Sequence, residues 1–391
     1  MRRSLIALAL SALVLAACGG SNGGNSGATK LSFTTVTSFG ASLTDSGTFG
    51  YKFTVQPDEG ETYLLWNERV AEAYGVDDTC AVYTATSSTT FTDNSASTGC
   101  RNYAIGGSVI QNFTAASDPS DDSVDNTSPL SILEQLTAAA ERATDDGGFT
   151  SKDLILVGGD SGANDIAAML TYLYYATNGS TTYAQHFANR VLSILSSDSD
   201  AYTAAATALN DSDLATAGYY YMIALADTLA ATVQSTVLEA GATHVVVQNT
   251  LDVSKTPKFQ TILAALDSTT AAEVEAVVDA WLTAYNTELA AQLGDDSRVV
   301  VSDFYTYFNK DIANPTQYAL TDVTTPVCYA VQTALGSSSP DELSTCTDTM
   351  LDTYLPDWRS YLFANSFHPT PYGHQLLAES VTDTLAKAGW L

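Results

Sequence analysis

Four short blocks of this sequence carry residue types that together suit acyl transfer, and each block alone is weak. The first, Gly40 to Gly47 (GASLTDSG), follows a strand-like run. Ser42 therefore falls where a strand ends and a helix begins, the place where open α/β folds seat ligands and where backbone N–H groups favour developing negative charge. On its own it could be a helix cap. The second, Asn102 to Gly107 (NYAIGG), ends in glycines that let a backbone N–H approach a substrate oxygen, though by itself it could be any turn. The third, Gly162 to Asp165 (GAND), offers the Asn164 amide as a donor to an oxyanion. In the fourth, His368 to Pro371 (HPTP), a histidine stands just before a helix whose first position suits proline. Alone, His368 could be a capping or surface residue.

The elements that must position these blocks read as strands alternating with helices. Phe33 to Phe39 alternates apolar and hydroxyl residues and stops at Gly40. Leu154 to Val157, His244 to Val247 and Val299 to Val301 are short aliphatic runs of the kind found in buried parallel strands. Helical patterns run over Ala271 to Leu293 and Pro371 to Ala388. The alternation predicts a three-layer α/β domain. From about 166 to 241 the chain is Ala- and Tyr-rich and reads as a helical insertion. Its tyrosines, Tyr172, Tyr174, Tyr175 and Tyr219 to Tyr221, are expected in the core, the alternative being an acyl or aromatic pocket.

With 44 Asp plus Glu against 15 Lys plus Arg in 391 residues, the net charge is -29. That charge repels nucleic acid, so no nucleic-acid partner is expected. Acidity of this kind reflects solubility more often than a ligand, and the four histidines form no HExxH pattern, so neither a metal nor any other cofactor is expected.

The N-terminus reads as an export signal. Arg2 and Arg3 precede an apolar run, Leu5 to Leu15, too short to span a bilayer. The run closes on Leu15-Ala16-Ala17-Cys18, which resembles a bacterial lipobox. Residues 1–17 are then a signal peptide, Cys18 is lipidated, residues 18–30 form a Gly/Ser/Asn-rich tether, and 31–391 form the folded domain. Gly19 after the lipidated cysteine suggests the outer membrane of a bacterial envelope. The remaining Cys80, Cys100, Cys328 and Cys346 are an even set in an exported chain, which favours two disulfides. Three pairings are open. Proximity favours Cys80 with Cys100 and Cys328 with Cys346, each stabilising by roughly 3 kcal/mol on the chain-entropy argument.

The order Ser, Gly, Asn, His at these separations resembles the SGNH/GDSL hydrolase family, in particular its phospholipase, lecithinase and haemolysin-like branch. The stretch VVVQNTLDVSKTP (Val245 to Pro257) and the run from Asp303 through Pro326 into Cys328 are similar to that branch as well. The resemblance covers roughly residues 33 to 388 and implies a flavodoxin-like α/β/α domain. It further implies a carboxylic ester hydrolase, with Ser42 as nucleophile and His368 as base. The oxyanion hole would comprise the N–H of Ser42, the N–H of Gly107 and the side-chain amide of Asn164. The reaction would pass through an acyl-enzyme. Its partners would be an acyl ester and, through the lipid anchor, a membrane, with the chain acting as a monomer.

Two positions depart from the family's pattern. Ala41 stands where Asp usually precedes the nucleophile, and Asn365 stands where Asp usually lies three residues before the histidine. The second change removes the charge expected to orient His368. A backbone carbonyl near Asn365 or Ser366 is then expected to orient the ring, with Asn365 as an auxiliary and Asp357 as a less favoured substitute. Two competing readings follow: acyl transfer to an alcohol by the same residues, and a degenerate lipoprotein that only binds a lipid or glycan. Two decoys are set aside. Gly159-Asp160-Ser161-Gly162 matches a protease nucleophile motif, but no histidine precedes it, and Gly19 to Gly23 matches G-x-S-x-G inside the tether.

Overall fold

Short aliphatic runs bounded by glycine and asparagine form the centre of the molecule, because a strand buried on both faces has no polar side to show. The computed structural model describes residues 31–58, 62–77, 79–94, 99–113 and 123–391. The expected signal peptide, the lipidation site Cys18 and the tether lie outside the described residues. Six strands are described: β1 (Thr35–Phe39), β2 (Tyr83–Ala85), β3 (Phe91–Asp93), β4 (Asp153–Val157), β5 (Val245–Gln248) and β6 (Val299–Ser302). The first, fourth, fifth and sixth make one parallel sheet in the order β1-β4-β5-β6, while β2 and β3 pair as a small antiparallel hairpin. On the free side of β1, Ser38 bridges Asn102 in parallel, with Ser38 N–H donating to Arg101 O at 3.1 Å and Tyr103 N–H donating to Ser38 O at 2.8 Å. That bridge brings the Asn102 to Gly107 block beside the end of β1.

The helices are α1 (Trp66–Ala73) and α2 (Ile132–Asp145) before β4, and α3 (Asp160–Thr177), α4 (Thr181–Ile194), α5 (Asp200–Asn210) and α6 (Leu214–Val233) before β5. Next come α7 (Pro257–Ala264) and α8 (Ser268–Leu293), and after β6 come α9 (Phe304–Ala313), α10 (Val327–Ala334), α11 (Asp348–Tyr354) and α12 (Pro371–Lys387). Helix α12 packs on α1 and β6, α2 packs on β1, and α6 packs on α8. The result is a three-layer α/β/α domain.

The elements start where their caps dictate. Helix α8 begins three residues earlier than the apolar pattern suggests, because the Asp267 carboxylate accepts the N–H groups of Thr269 and Thr270. Pro371 opens α12 behind Thr370, whose hydroxyl accepts Gly373 N–H at 3.1 Å. The helical stretch before β5 is α3 to α6, and α6 is fixed to α8 by Trp281, buried with its indole N–H on Ala215 O at 2.8 Å. The tyrosines of this region meet the expectation that they are core only in part, with Tyr172 and Tyr220 packed half-buried against the main core. Only Tyr221 is fully buried, whereas Tyr174, Tyr175 and Tyr219 are 48%, 44% and 41% exposed. Turning around a long helix, consecutive tyrosines cannot all face one core.

Both cystines form with the pairing that proximity favours, Cys80 with Cys100 and Cys328 with Cys346. The second lies in a satellite apolar cluster with Val55, Leu343, Leu351, Trp358 and Ala364, separate from the main core.

Candidate active site

Ser42 sits on a turn directly after β1. Gly40 opens that turn with φ +155°, and a Cβ there would overlap Thr44 and Asp160, so the position requires glycine. The Asp160 carboxylate, at the first position of α3, holds the turn from the end of the neighbouring strand β4. Its Oδ2 accepts the N–H of Ala41 at 3.0 Å and of Leu43 at 2.8 Å, on either side of Ser42. Burial pushes the Asp160 pKa up to about 6 against the pull of these donors, which leaves it largely ionised at neutral pH. Asp160 thus holds the serine turn on both sides of Ser42. The GDSG stretch contains a residue of the site after all, though it is the aspartate.

Asp45, in the same turn, ties it to the glycine block. Its Oδ1 accepts Gly47 and Thr48 N–H at 2.9 and 2.7 Å, and its Oδ2 accepts Gly106 N–H at 2.8 Å. Gly107 follows with φ +86°, a left-handed conformation that glycine adopts without a steric cost. Helix α3 braces the same loop from the other side. Asn164 Nδ2 donates to Ser108 O at 2.8 Å, and the fully buried Asp165 accepts Ile110 N–H at 2.7 Å. A primary amide has two N–H donors, so one remains for the cleft once Ser108 holds the other.

His368 closes the site from the segment before α12. Its Nε2 lies 2.8 Å from Ser42 Oγ, and its Nδ1 lies 2.9 Å from Asn365 Oδ1. The Asn365 oxygen also accepts the backbone N–H groups of Phe367 at 3.0 Å and His368 at 2.8 Å, while Nδ2 donates to Asp341 O at 3.0 Å. Those partners determine which end of the amide is oxygen. An oxygen facing Nδ1 requires a proton on Nδ1, which leaves Nε2 as the acceptor for the serine hydroxyl. The expected backbone carbonyl does not orient the ring; the Asn365 side chain does, because its oxygen is locked toward Nδ1 by two backbone donors. Asp357 instead begins the turn Trp358–Ser360, its carbonyl accepting the Ser360 hydroxyl at 2.8 Å.

The His368 ring packs between Phe53, at 5.1 Å, and Phe367, at 5.8 Å. Burial, with a smaller contribution from the Lys258 charge, pushes its pKa down to about 3. At neutral pH the imidazole is therefore uncharged and able to take a proton. Ser42, Gly106, Gly107, Asn164 and His368 line one cleft of about 330 Å³, walled by Phe49, Tyr51, Phe53 and Phe367. Among the described residues, no group of three or more His, Cys, Asp and Glu side chains is placed to hold a metal ion.

Sequence reasoning missed Asp160, Asp341 and the aromatic walls. The run Phe49, Tyr51, Phe53 alternates and closely follows the serine turn, a signal that could have marked a wall. Asp341 carries no such signal.

A parallel sheet with serine, histidine, asparagine and glycine gathered at the carboxyl ends of its strands is the architecture of an SGNH-type α/β/α hydrolase. The family described as GDSL-like Lipase/Acylhydrolase matches residues 36–381, and the chain belongs to it. No curated protein matches the chain significantly.

Proposed function

We propose that this protein hydrolyses carboxylic esters through an acyl-enzyme on Ser42. The observation that carries this reading is the 2.8 Å contact between Ser42 Oγ and His368 Nε2 at the floor of an open cleft. In the first step His368 takes the hydroxyl proton as Oγ attacks the ester carbonyl, and the protonated ring then gives it to the departing alcohol. Water, activated by the same nitrogen, attacks the acyl-enzyme and releases the acid. The N–H of Ser42, the N–H of Gly107 and the free N–H of Asn164 stabilise the tetrahedral oxyanion, each donor contributing on the order of 3 kcal/mol. Asp160 supports this assignment by taking the N–H groups of residues 41 and 43 and leaving that of Ser42 between them for the oxyanion.

The substrate we assign is a lipid or another small acyl ester, in keeping with the aromatic cleft and with the phospholipase-like branch that the sequence resembles. The domain works outside the cytoplasm, anchored by lipid on Cys18 to a bacterial envelope membrane. Labelling with a fluorophosphonate tests the mechanism: modification of wild type at Ser42 alone supports it, and modification elsewhere or nowhere refutes it. Assay against short- and long-chain esters then sets the acyl preference.

A further inference from the structure

The asparagine at position 365 raises a problem of orientation that an aspartate would not have. Both oxygens of a carboxylate accept hydrogen bonds, whereas an amide turned by half a rotation presents N–H donors to His368 Nδ1 and the site fails. Two backbone N–H groups hold the amide oxygen, and something must hold its nitrogen.

Asp341 is placed to do so. Its backbone carbonyl accepts Asn365 Nδ2 at 3.0 Å, and its carboxylate accepts the N–H of Ser366 at 2.8 Å and the Ser366 hydroxyl. It lies on the loop closed by Cys328 and Cys346, and the base of that loop grips the same segment. The N–H groups of Val327 and Cys328 donate to Phe363 O at 3.0 Å and Ala364 O at 2.7 Å. Within the loop, Gln332 Nε2 donates to Glu342 O at 3.0 Å, next to Asp341. Residues 363–366 therefore hang from the cystine loop at both ends, and His368 follows two residues later. Ala364 shares the satellite core with both half-cystines.

We propose that Asp341, held by the Cys328–Cys346 loop, is a positioning residue that fixes the Asn365 amide and so lets an uncharged side chain orient His368. The inference deepens the esterase reading and rests on it for its effect on turnover. It also accounts for the choice of asparagine. A carboxylate at 365 would set an acceptor against the Asp341 carbonyl, where the amide sets a donor.

The test uses the full chain labelled with nitrogen-15 at its four histidines. One readout is the Nδ1–H resonance of His368, protected from exchange by its bond to Asn365; the other is kcat and KM on p-nitrophenyl acetate. Asp341→Ala keeps the backbone carbonyl but cuts its tie to Ser366, so the carbonyl should drift from the amide, the protected resonance should be lost and kcat should fall on the order of tenfold, with KM within about twofold of wild type. Asp341→Asn, which still accepts from the Ser366 N–H, should keep the resonance and most of kcat. An Asp341→Ala protein with the wild-type resonance and wild-type kcat overturns the proposal. Should that variant not fold, Ser366→Ala carries the test, a weakened resonance supporting the role and an unchanged one refuting it. The resonance is read without turnover. A wild type that shows it, loses it in Asp341→Ala and yet hydrolyses no ester overturns the esterase reading alone.

Discussion

Asp160 Oδ2 accepts the backbone N–H of Leu43 at 2.8 Å across 117 residues of sequence, and the same oxygen holds Ala41 on the other side of Ser42. Removing that carboxylate leaves two buried N–H groups without partners, each costing roughly 1–3 kcal/mol. Asp160→Ala should therefore lower both melting temperature and kcat/KM, the latter on the order of a hundredfold. Asp160→Asn retains an oxygen that can take both bonds and should cost far less. Thermal denaturation and steady-state kinetics check this, and equal losses in the two variants would count against the role.

On the proposed mechanism Ser42→Ala and His368→Ala should each fold and lose activity by several orders of magnitude, because a nucleophile and its base act as a unit. Asn365→Ala should lose between roughly tenfold and a hundredfold in kcat, as expected for a supporting hydrogen bond of about 1.5–3 kcal/mol. Ser161→Ala should change little. The ordering is what kinetics on a chromogenic ester must reproduce. An Asn365→Ala protein as inactive as His368→Ala would mean that the asparagine is obligatory.

Much of this arrangement was legible in the sequence, and the rest was hidden for an identifiable reason. Three of the four parallel strands announce themselves as aliphatic runs and β1 as an alternation of apolar and hydroxyl residues, each ended by glycine, asparagine or a capping aspartate, so the sheet and the blocks at its carboxyl ends follow from local pattern. What fixes those blocks is not local. Asp160 reaches Ala41 over 119 residues and Asp341 reaches Ser366 over 25, and neither contact leaves a periodicity or a motif. The error at Asn365 has the same origin. Residue types alone do not say whether a side-chain oxygen or a neighbouring carbonyl faces the ring, and only the donors of Phe367, His368 and Asn365 Nδ2 decide it.

Cys18→Ser should yield protein absent from the membrane fraction but with unchanged kcat/KM once folded, since a lipid anchors without touching the cleft. Fractionation with an ester assay on each fraction checks this, and undiminished membrane association would remove the lipid anchor from the proposal. Mass spectrometry of unreduced peptides should recover Cys80 joined to Cys100 and Cys328 joined to Cys346.

The pH profile gives the most direct reading of a site without a carboxylate beside its base. On the proposed mechanism His368 acts only when neutral, so kcat/KM should fall on the acid side as pH drops through the His368 pKa, which burial pushes down to about 3. The acid limb should therefore lie well below the ordinary histidine value of about 6.5. Unfolding could mimic that limb, so the signs matter. Below pH 6.5 the unfolded chain protonates this histidine before the folded one does, and stability from this group, complete above that pH, is lost as pH falls toward 3. Asp160, raised to about 6, and Asp165 and Asp311, raised to about 7, act in the opposite sense. Their folded forms bind protons first, so their contribution is complete below the unfolded value near 3.8 and is lost as pH rises through 6 to 7. The two effects oppose each other between pH 3.8 and 6.5, and at pH 5 the protein should remain folded by circular dichroism and active. Asn365→Asp should move the limb upward, because a carboxylate at Nδ1 favours the imidazolium. Its kcat at neutral pH should not exceed that of wild type, since the new carboxylate meets the Asp341 carbonyl. A wild-type limb near 6.5 in a protein that stays folded would show that burial does not govern His368, and an unmoved limb in Asn365→Asp would show that residue 365 does not face the ring.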